Sequence, residues 1–124
     1  MADRKSTETL KYEEALNYAM RICARQETYR KYIREKLSQR KAGAEDIEKI
    51  IDFLEKNRFL DESRYARAFV NDKMKLARWG VSRIKSTLIQ KGIPGFIVGE
   101  VTKGLELSEL YENGLFLARK KLKT

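Results

Sequence analysis

Apolar residues recur along this chain every three or four positions, which is the spacing that places side chains on one face of a helix. The clearest stripe is formed by Ile47, Ile50, Ile51 and Leu54. The pattern predicts seven short helices, at 12–24, 29–40, 44–56, from 61 towards Gly80, 82–91, from 94 onward, and 108–122. One Pro and seven Gly leave few breaks of the kind that strands and hairpins need, so the predicted fold class is all-α.

The sharpest helix start lies at Asp61, which is a good N-cap residue, and Glu62 adds an acid to the first turn. Phe59 and Leu60 precede this cap and are predicted to staple onto Tyr65. The two neighbouring carboxyl groups could also be read as acid/base or metal-binding groups. Capping explains them better, because they open a helix directly after an apolar pair.

Other breaks follow the same chemistry. Thr28 is the predicted N-cap of the second helix, and the residues 41–43 separate that helix from the third. Gly92 is placed to end the fifth helix as a glycine cap, and Pro94 suits the first turn of the sixth.

The helices repeat with a period near 50 residues. The matched positions, first copy and then second, are Ile33 and Ile84, Leu37 and Leu88, Gln39 and Gln90, Ile47 and Ile97, Ile51 and Val101, Ala15 and Ala66, and Tyr18 and Phe69. We therefore predict a disordered lead at 1–10, a three-helix module one at 11–57, a three-helix module two at 58–106, and the first helix of a truncated third module at 107–124. Such tandem three-helix repeats predict an elongated, curved array whose third repeat is incomplete.

Charge is unevenly distributed along the repeat. The net charge is +9; residues 21–41 carry eight cations against two acids, and residues 64–91 carry eight against one. The intervening stretch 42–63 carries seven acids and three cations. Basic segments of this kind attract nucleic-acid phosphates or acidic protein surfaces, although a solvated helix face is the simpler alternative.

The candidate contact residues lie on the second helix and around the fifth. They are Arg30, Lys31, Arg34, Arg40, Lys75, Arg78, Trp79, Arg83, Lys85 and Lys91. Arginine is suited to bidentate contacts with phosphate or carboxylate groups. Trp79, the single tryptophan, is either an anchor in a partner interface or a wedge packed between the fourth and fifth helices.

The sequence contains no recognisable set of catalytic residues. The absence of any histidine removes Ser–His and Cys–His catalysis, and the single cysteine, Cys23, excludes an internal disulfide. Cys23 is predicted to be a buried structural thiol. No phosphate-binding glycine loop and no zinc motif occurs, so we predict a protein that is not an enzyme and binds no cofactor or metal. No apolar run spans a membrane and no signal peptide is evident, which predicts a cytoplasmic protein. We also expect it to be a monomer.

Two runs of residues together resemble the signature of a known family. The run 59–66, FLDESRYA, is similar to the motif LDD-x-RFA of the RecX family, and the run 79–93 is similar to its pattern G-x-x-R-I, then L, then KGI. The signature positions are Phe59, Leu60, Asp61, Glu62, Tyr65, Ala66, Gly80, Ile84, Leu88, Gly92 and Ile93.

The resemblance implies a function. RecX-like proteins regulate the recombinase RecA: they bind the RecA–DNA filament in its groove and restrain filament growth, ATP hydrolysis and strand exchange, and so temper recombination and the SOS response. Some also bind DNA directly. The alternative is a nucleic-acid-binding helical module, without sequence specificity and without a RecA partner. A third reading is a helical scaffold whose charges are merely solvated.

The chain departs from the family pattern in three places. Arg58 stands where the family often has Gly, and Glu62 replaces the usual second Asp. The third module is expected to be incomplete, either because the chain is shortened or because this version is naturally short.

Overall fold

The computed structural model describes residues 10–105, and this part of the chain is helical, as predicted. Its helices are α1 (Tyr12–Arg25), α2 (Arg30–Gln39), α3 (Ala44–Lys56), α4 (Glu62–Lys75), α5 (Val81–Gln90) and α6 (95–105). Between residues 10 and 105 no helix is long and apolar enough to cross a membrane. The helix predicted at 108–122 lies outside the described residues.

Helix bounds agree closely with the apolar pattern. The third helix begins and ends where predicted, and the fifth is displaced by one residue towards the N-terminus. The chain divides into two compact units, Met1–Ala68 and Phe69–Thr124, which we call the first and second units.

The first unit is built around an aliphatic core from three helices and the segment that follows them. Its buried residues are Ala15, Ala19, Ile33, Leu37, Ile47, Ile50, Ile51, Leu54 and Leu60. The small alanines of α1 contribute least volume, while the isoleucine and leucine side chains of α2 and α3 fill the interior. Burial of each large side chain contributes about 1.5–3 kcal/mol, which offsets the cost of ordering these short helices.

Leu10 belongs to this first unit, although the sequence places it in a disordered lead. It is half-buried against the core, and its amide donates to the carbonyl of Lys41 at 3.3 Å. The contact forms a single parallel bridge with Ala42.

The second unit repeats the same core pattern. Its buried apolar residues are Val70, Val81, Ile84, Leu88, Ile93, Ile97 and Val98. Thr102, which the apolar pattern leaves out, is also buried, and its hydroxyl donates to the carbonyl of Val98 at 2.7 Å. This bond satisfies the hydroxyl within its own helix, so a polar side chain is tolerated in the core.

The cap at Asp61 is confirmed. Its carboxylate accepts hydrogen bonds from the amides of Ser63 at 3.0 Å and Arg64 at 3.1 Å, which are groups with no partner inside the helix. The ring of Phe59 stacks on that of Phe53 with centroids 6.3 Å apart, and the ring of Tyr65 lies 4.7 Å from that of Tyr29; the staple of Phe59 and Leu60 onto Tyr65 stays a prediction.

Thr28 does not cap α2, contrary to prediction. The N-cap residue is Tyr29, whose side chain makes no capping bond, and Thr28 is buried. The acceptor comes from another helix: the Glu62 carboxylate accepts the amide N–H of Arg30, the first residue of α2, at 2.9 Å. A cap supplied from 32 residues away cannot be read from local sequence.

Three helix ends place a basic residue in the left-handed conformation. Lys41, Arg58 and Arg78 have φ of 63°, 60° and 55°, and Gly92 has φ of 84°. Each follows a helix, and the amide one residue later reaches back to a carbonyl of the last turn, as for Phe59 onto Leu54 at 2.8 Å. Gly92 therefore ends α5 as predicted, whereas the three cations adopt a conformation that costs about 1–2 kcal/mol for a side chain with a β-carbon.

Candidate functional site

Two of the predicted contact residues are engaged by acids of the neighbouring helix. Arg30 donates through two nitrogens to the Glu55 carboxylate, at 2.8 and 2.9 Å. Arg34 does the same to Glu48, at 2.8 and 3.1 Å. In each pair the guanidinium is bonded along one edge, so two of the eight cations of the first basic block are paired with acids of the first unit.

The Arg34 contact also perturbs its partner. The hydrogen bond from Arg34 lowers the pKa of the Glu48 carboxyl below its ordinary value, and the positive charge of the guanidinium acts in the same direction. These side chains lie at the surface, so their ion pair is expected to contribute little to stability.

Glu62 is the most deeply buried acid among residues 10–105. It is 5% exposed, it accepts the Arg30 amide, and its second oxygen lies 3.9 Å from Nε of Arg30. Burial raises the pKa of the Glu62 carboxyl, while the hydrogen bond from the Arg30 amide opposes that rise. The same residue thus opens α4 and caps α2, which gives it a structural role.

An aromatic ring holds a cation at the same place in both modules. The Arg40 guanidinium lies 4.1 Å from the ring centroid of Tyr18, and 51 residues later the Lys91 ammonium lies 5.6 Å from that of Phe69. Both cations are C-cap residues of the second helix of their module, where the helix dipole favours positive charge. The pair is a repeated structural element.

Two cations lie against the ring of the single tryptophan. The Arg83 guanidinium carbon is 3.8 Å from the centroid of the Trp79 ring, and Nζ of Lys73 is 4.9 Å from it. Phe69 meets the ring edge-on at 6.0 Å, with an angle of 75° between the planes. We call Phe69, Lys73, Trp79, Arg83 and Lys91 the Trp79 cluster; every member lies in the second unit.

Backbone geometry at the end of α4 builds this cluster. The Trp79 amide donates to the Lys73 carbonyl at 2.9 Å, and Arg78 before it takes its left-handed conformation. The indole is thereby turned back over α4, and Arg83 reaches it from the first turn of α5. The ring thus lies between side chains of the fourth and fifth helices, as the wedge interpretation predicted.

The Arg83 and Lys73 side chains differ from those of Arg30 and Arg34 in their partners. Aromatic faces attract cations through the ring quadrupole, at about 0.5–2 kcal/mol per contact. Among residues 10–105, Arg83 and Lys73 form no ion pair with a carboxylate. Two positive groups are therefore fixed in place while keeping their charge.

The remaining predicted contact residues are not gathered into one cluster by the contacts seen here. Lys31, Lys75 and Arg78 are exposed, and Lys85 is half-buried. The prediction omitted Lys73, although its spacing of four from Phe69 on α4 is a sequence signal for a side-chain pair.

Cys23 is half-buried, so the prediction of a buried thiol is wrong. It lines a groove of about 470 Å³ beside Met20, Arg21 and Phe59. Burial raises the pKa of the thiol, and the Glu27 carboxylate adds to the rise. The thiol is thus held in its neutral, weakly nucleophilic form. Across residues 10–105, no group of acids and cysteines has a metal-binding arrangement.

Comparison with known proteins identifies the second module. Residues 61–101, from the cap of α4 into α6, match the second three-helix domain of RecX. Proteins named Regulatory protein RecX are 39% identical over 92 residues in Clostridium botulinum, 33% over 110 in Clostridioides difficile, and 36% over 96 in Thermus thermophilus. The chain belongs to the RecX family.

Coverage differs between this RecX chain and its relatives. The matched parts make up 74%, 89% and 77% of this chain, but 42%, 51% and 66% of those three proteins, in the same order. The chain thus spans about half the length of the clostridial proteins that it matches.

Most of the RecX signature is buried or structural in this chain. Leu60, Glu62, Ala66, Ile84, Leu88 and Ile93 are buried. Asp61 caps α4, and Gly92 ends α5 with a positive φ. The signature therefore describes mainly the framework. Arg83 is the arginine of the pattern G-x-x-R-I, whereas Lys73 lies outside the signature runs.

Proposed function

We propose that this RecX protein regulates RecA as a non-catalytic binding protein, restraining filament growth, ATP hydrolysis and strand exchange. Membership of the family supports the proposal, because the relatives bear the name of regulatory proteins. The RecA–DNA filament is the proposed partner. The Trp79 cluster is the proposed centre of the contact surface.

The observation that carries this assignment is that Arg83 and Lys73 lie against the Trp79 ring and, among residues 10–105, form no ion pair with a carboxylate. Interface hot spots commonly combine Trp with Arg, and here the guanidinium of Arg83 lies 3.8 Å from the indole centroid. In the first unit, by contrast, Arg30 and Arg34 are bonded to Glu55 and Glu48. The second module is therefore the better candidate for contact with an acidic nucleoprotein.

The test is the ATPase of the cognate RecA on single-stranded DNA, measured with increasing amounts of this protein, together with filament length by electron microscopy. We expect a lower ATPase rate and shorter filaments at amounts comparable with RecA. If the rate and the length both stay unchanged at a stoichiometric excess, regulation of RecA by this chain is wrong.

A second candidate function is nucleic-acid binding without RecA, motivated by the excess of eight cations over one acid in residues 64–91. Binding to bare DNA would then weaken steeply as salt rises, because phosphate neutralisation releases counterions. Measuring affinity at several salt concentrations without RecA separates the two functions. Flat salt dependence or absence of binding would remove this candidate.

A further inference from the structure

The Arg83 guanidinium leaves its donors accessible while its face is occupied. A guanidinium is planar, and its N–H groups point outward within that plane. At 3.8 Å from the Trp79 centroid, the Arg83 group makes its cation–π contact with the ring. When the face of the guanidinium contacts the ring, its N–H edge remains available to an anion. Arginine binds phosphate oxygens through this edge.

Lys73 adds a second cation beside the first. Its ammonium lies 4.9 Å from the Trp79 centroid and 5.5 Å from that of Phe69, so the two rings hold it near Arg83. Asp72 is the single acid in the sequence from 64 to 91. A compact region with this charge attracts an anion whose charges repeat along a chain.

We infer that Arg83 and Lys73 form a phosphate-binding site for the phosphodiester backbone of a nucleic acid, and that Trp79 positions these cations. The ring therefore holds the two cations in position, and the bases of the nucleic acid do not stack on it. This inference rests on the nucleic-acid contact within the proposed function and names the residues that make it.

The crowding of the indole supports the role given to Trp79. Aromatic residues that stack on bases present an open ring face. Here Arg83 covers the ring at 3.8 Å, Lys73 lies at 4.9 Å, and Phe69 packs edge-on at 6.0 Å. A base that stacked on the face covered by Arg83 would have to displace that cation, and so would remove the charge that attracts the backbone.

The experiment uses the whole chain and needs no RecA. Anisotropy of a labelled thymidine oligonucleotide gives the affinity, and emission of the single tryptophan reports occupancy of the site directly. We expect saturable binding with a change in Trp79 emission. Arg83→Gln should weaken binding about five- to tenfold at low salt and reduce the salt slope by about one.

Matched variants separate charge from position. Arg34→Gln removes a cation that is already bonded to Glu48, and it should change affinity less than about twofold. Trp79→Phe keeps a ring and should retain most of the binding. Trp79→Leu leaves the charge unchanged yet should weaken binding nearly as much as Arg83→Gln, while circular dichroism verifies that each variant is folded.

Two further ligands test whether the site recognises the phosphate backbone. An abasic backbone of the same length should bind as tightly as the thymidine oligonucleotide, and polyglutamate of equal charge should bind far more weakly. Wild-type affinity of Arg83→Gln, loss of binding by the abasic backbone, or equal binding of polyglutamate would each overturn the inference. An unchanged RecA ATPase with these results intact would instead remove only the role on RecA.

Discussion

The two modules share a core and differ in the surroundings of their cations. Leu37 and Leu88 are fully buried at equivalent positions, 51 residues apart. Trp79, however, stands where module one has the buried Thr28, and Arg78 stands where module one has Glu27. The two modules therefore have the same buried leucines and differ in the residues that lead into their second helix.

This difference shows that positive charge in a sequence is not the same as charge that can meet a partner. Both basic blocks contain eight cations. In the first, Arg30 and Arg34 donate to carboxylates of α3, which faces them with acids. In the second, Arg64 is likewise paired, with Glu27. Arg83 and Lys73, however, lie against aromatic rings, as Arg40 does in the first block, and a ring holds a cation without neutralising it.

The largest expected effect tests the shared core. Leu37→Ala and Leu88→Ala each remove a fully buried side chain, so each should lower the free energy of unfolding by about 2–5 kcal/mol. Hydrogen exchange should show faster exchange in the unit that carries the change. A loss below 1 kcal/mol at one position would mean that the two cores are not equivalent.

A smaller effect is expected at Glu62, which caps α2 in module one. Glu62→Ala leaves the partly buried amide of Arg30 without its acceptor and should lower the free energy of unfolding by about 1–3 kcal/mol, measured by chemical denaturation. Glu62→Gln keeps an oxygen that can accept this amide, so it should cost less than the alanine change. Equal losses in the two variants would show that the hydrogen bond is unimportant.

The comparison of the wild type with Glu62→Gln also predicts how stability depends on pH. Burial raises the folded pKa of Glu62 above its unfolded value, near 4.3, so the folded state takes up the proton first. The stability of the wild type relative to Glu62→Gln should therefore be greatest below pH 4.3 and decline as pH rises through the folded pKa. A difference that grows with rising pH would contradict the buried carboxyl.

A reciprocal exchange tests the helix ends. Lys41 in module one and Gly92 in module two occupy equivalent positions and both have positive φ. Lys41→Gly should raise the free energy of unfolding by about 0.5–1 kcal/mol, and Gly92→Lys should lower it by about 1–2 kcal/mol. Thermal unfolding measures both; shifts of the same sign would refute the equivalence.

The smallest effect concerns the surface pair of module one. Arg34 and Glu48 have side-chain exposures of 45% and 59%, so Arg34→Gln should change the free energy of unfolding by less than about 1 kcal/mol. A denaturation midpoint indistinguishable from the wild type is the expected result. A large loss would show that the pair supports the fold.

Sequence periodicity was sufficient for the helices because burial determines them. The stripe from Ile47 to Leu54, after the break at 41–43, predicts α3, and the 51-residue offset predicts that Leu37 and Leu88 share a role. The cap at Asp61 was also predictable, since its hydrogen bonds are to amides two and three residues later.

Contacts between distant residues escaped the prediction for a physical reason. Glu62 caps α2 from 32 residues away, and Arg30 and Arg34 find acids on another helix. Sequence patterns between neighbouring residues cannot predict which acid pairs with which cation, because any acid on a facing helix is a candidate. The candidate contact residues were therefore too many, and the structure now favours the few around Trp79.

The central claim is that the cations of module two, and not those paired in module one, meet the partner. The most direct measurement compares the wild type, Arg83→Gln and Arg34→Gln as inhibitors of the cognate RecA ATPase on single-stranded DNA. Each variant removes one positive charge, so the net charge is matched. We predict that Arg34→Gln inhibits like the wild type and that Arg83→Gln inhibits at least several-fold more weakly; equal inhibition by the two variants would contradict the claim.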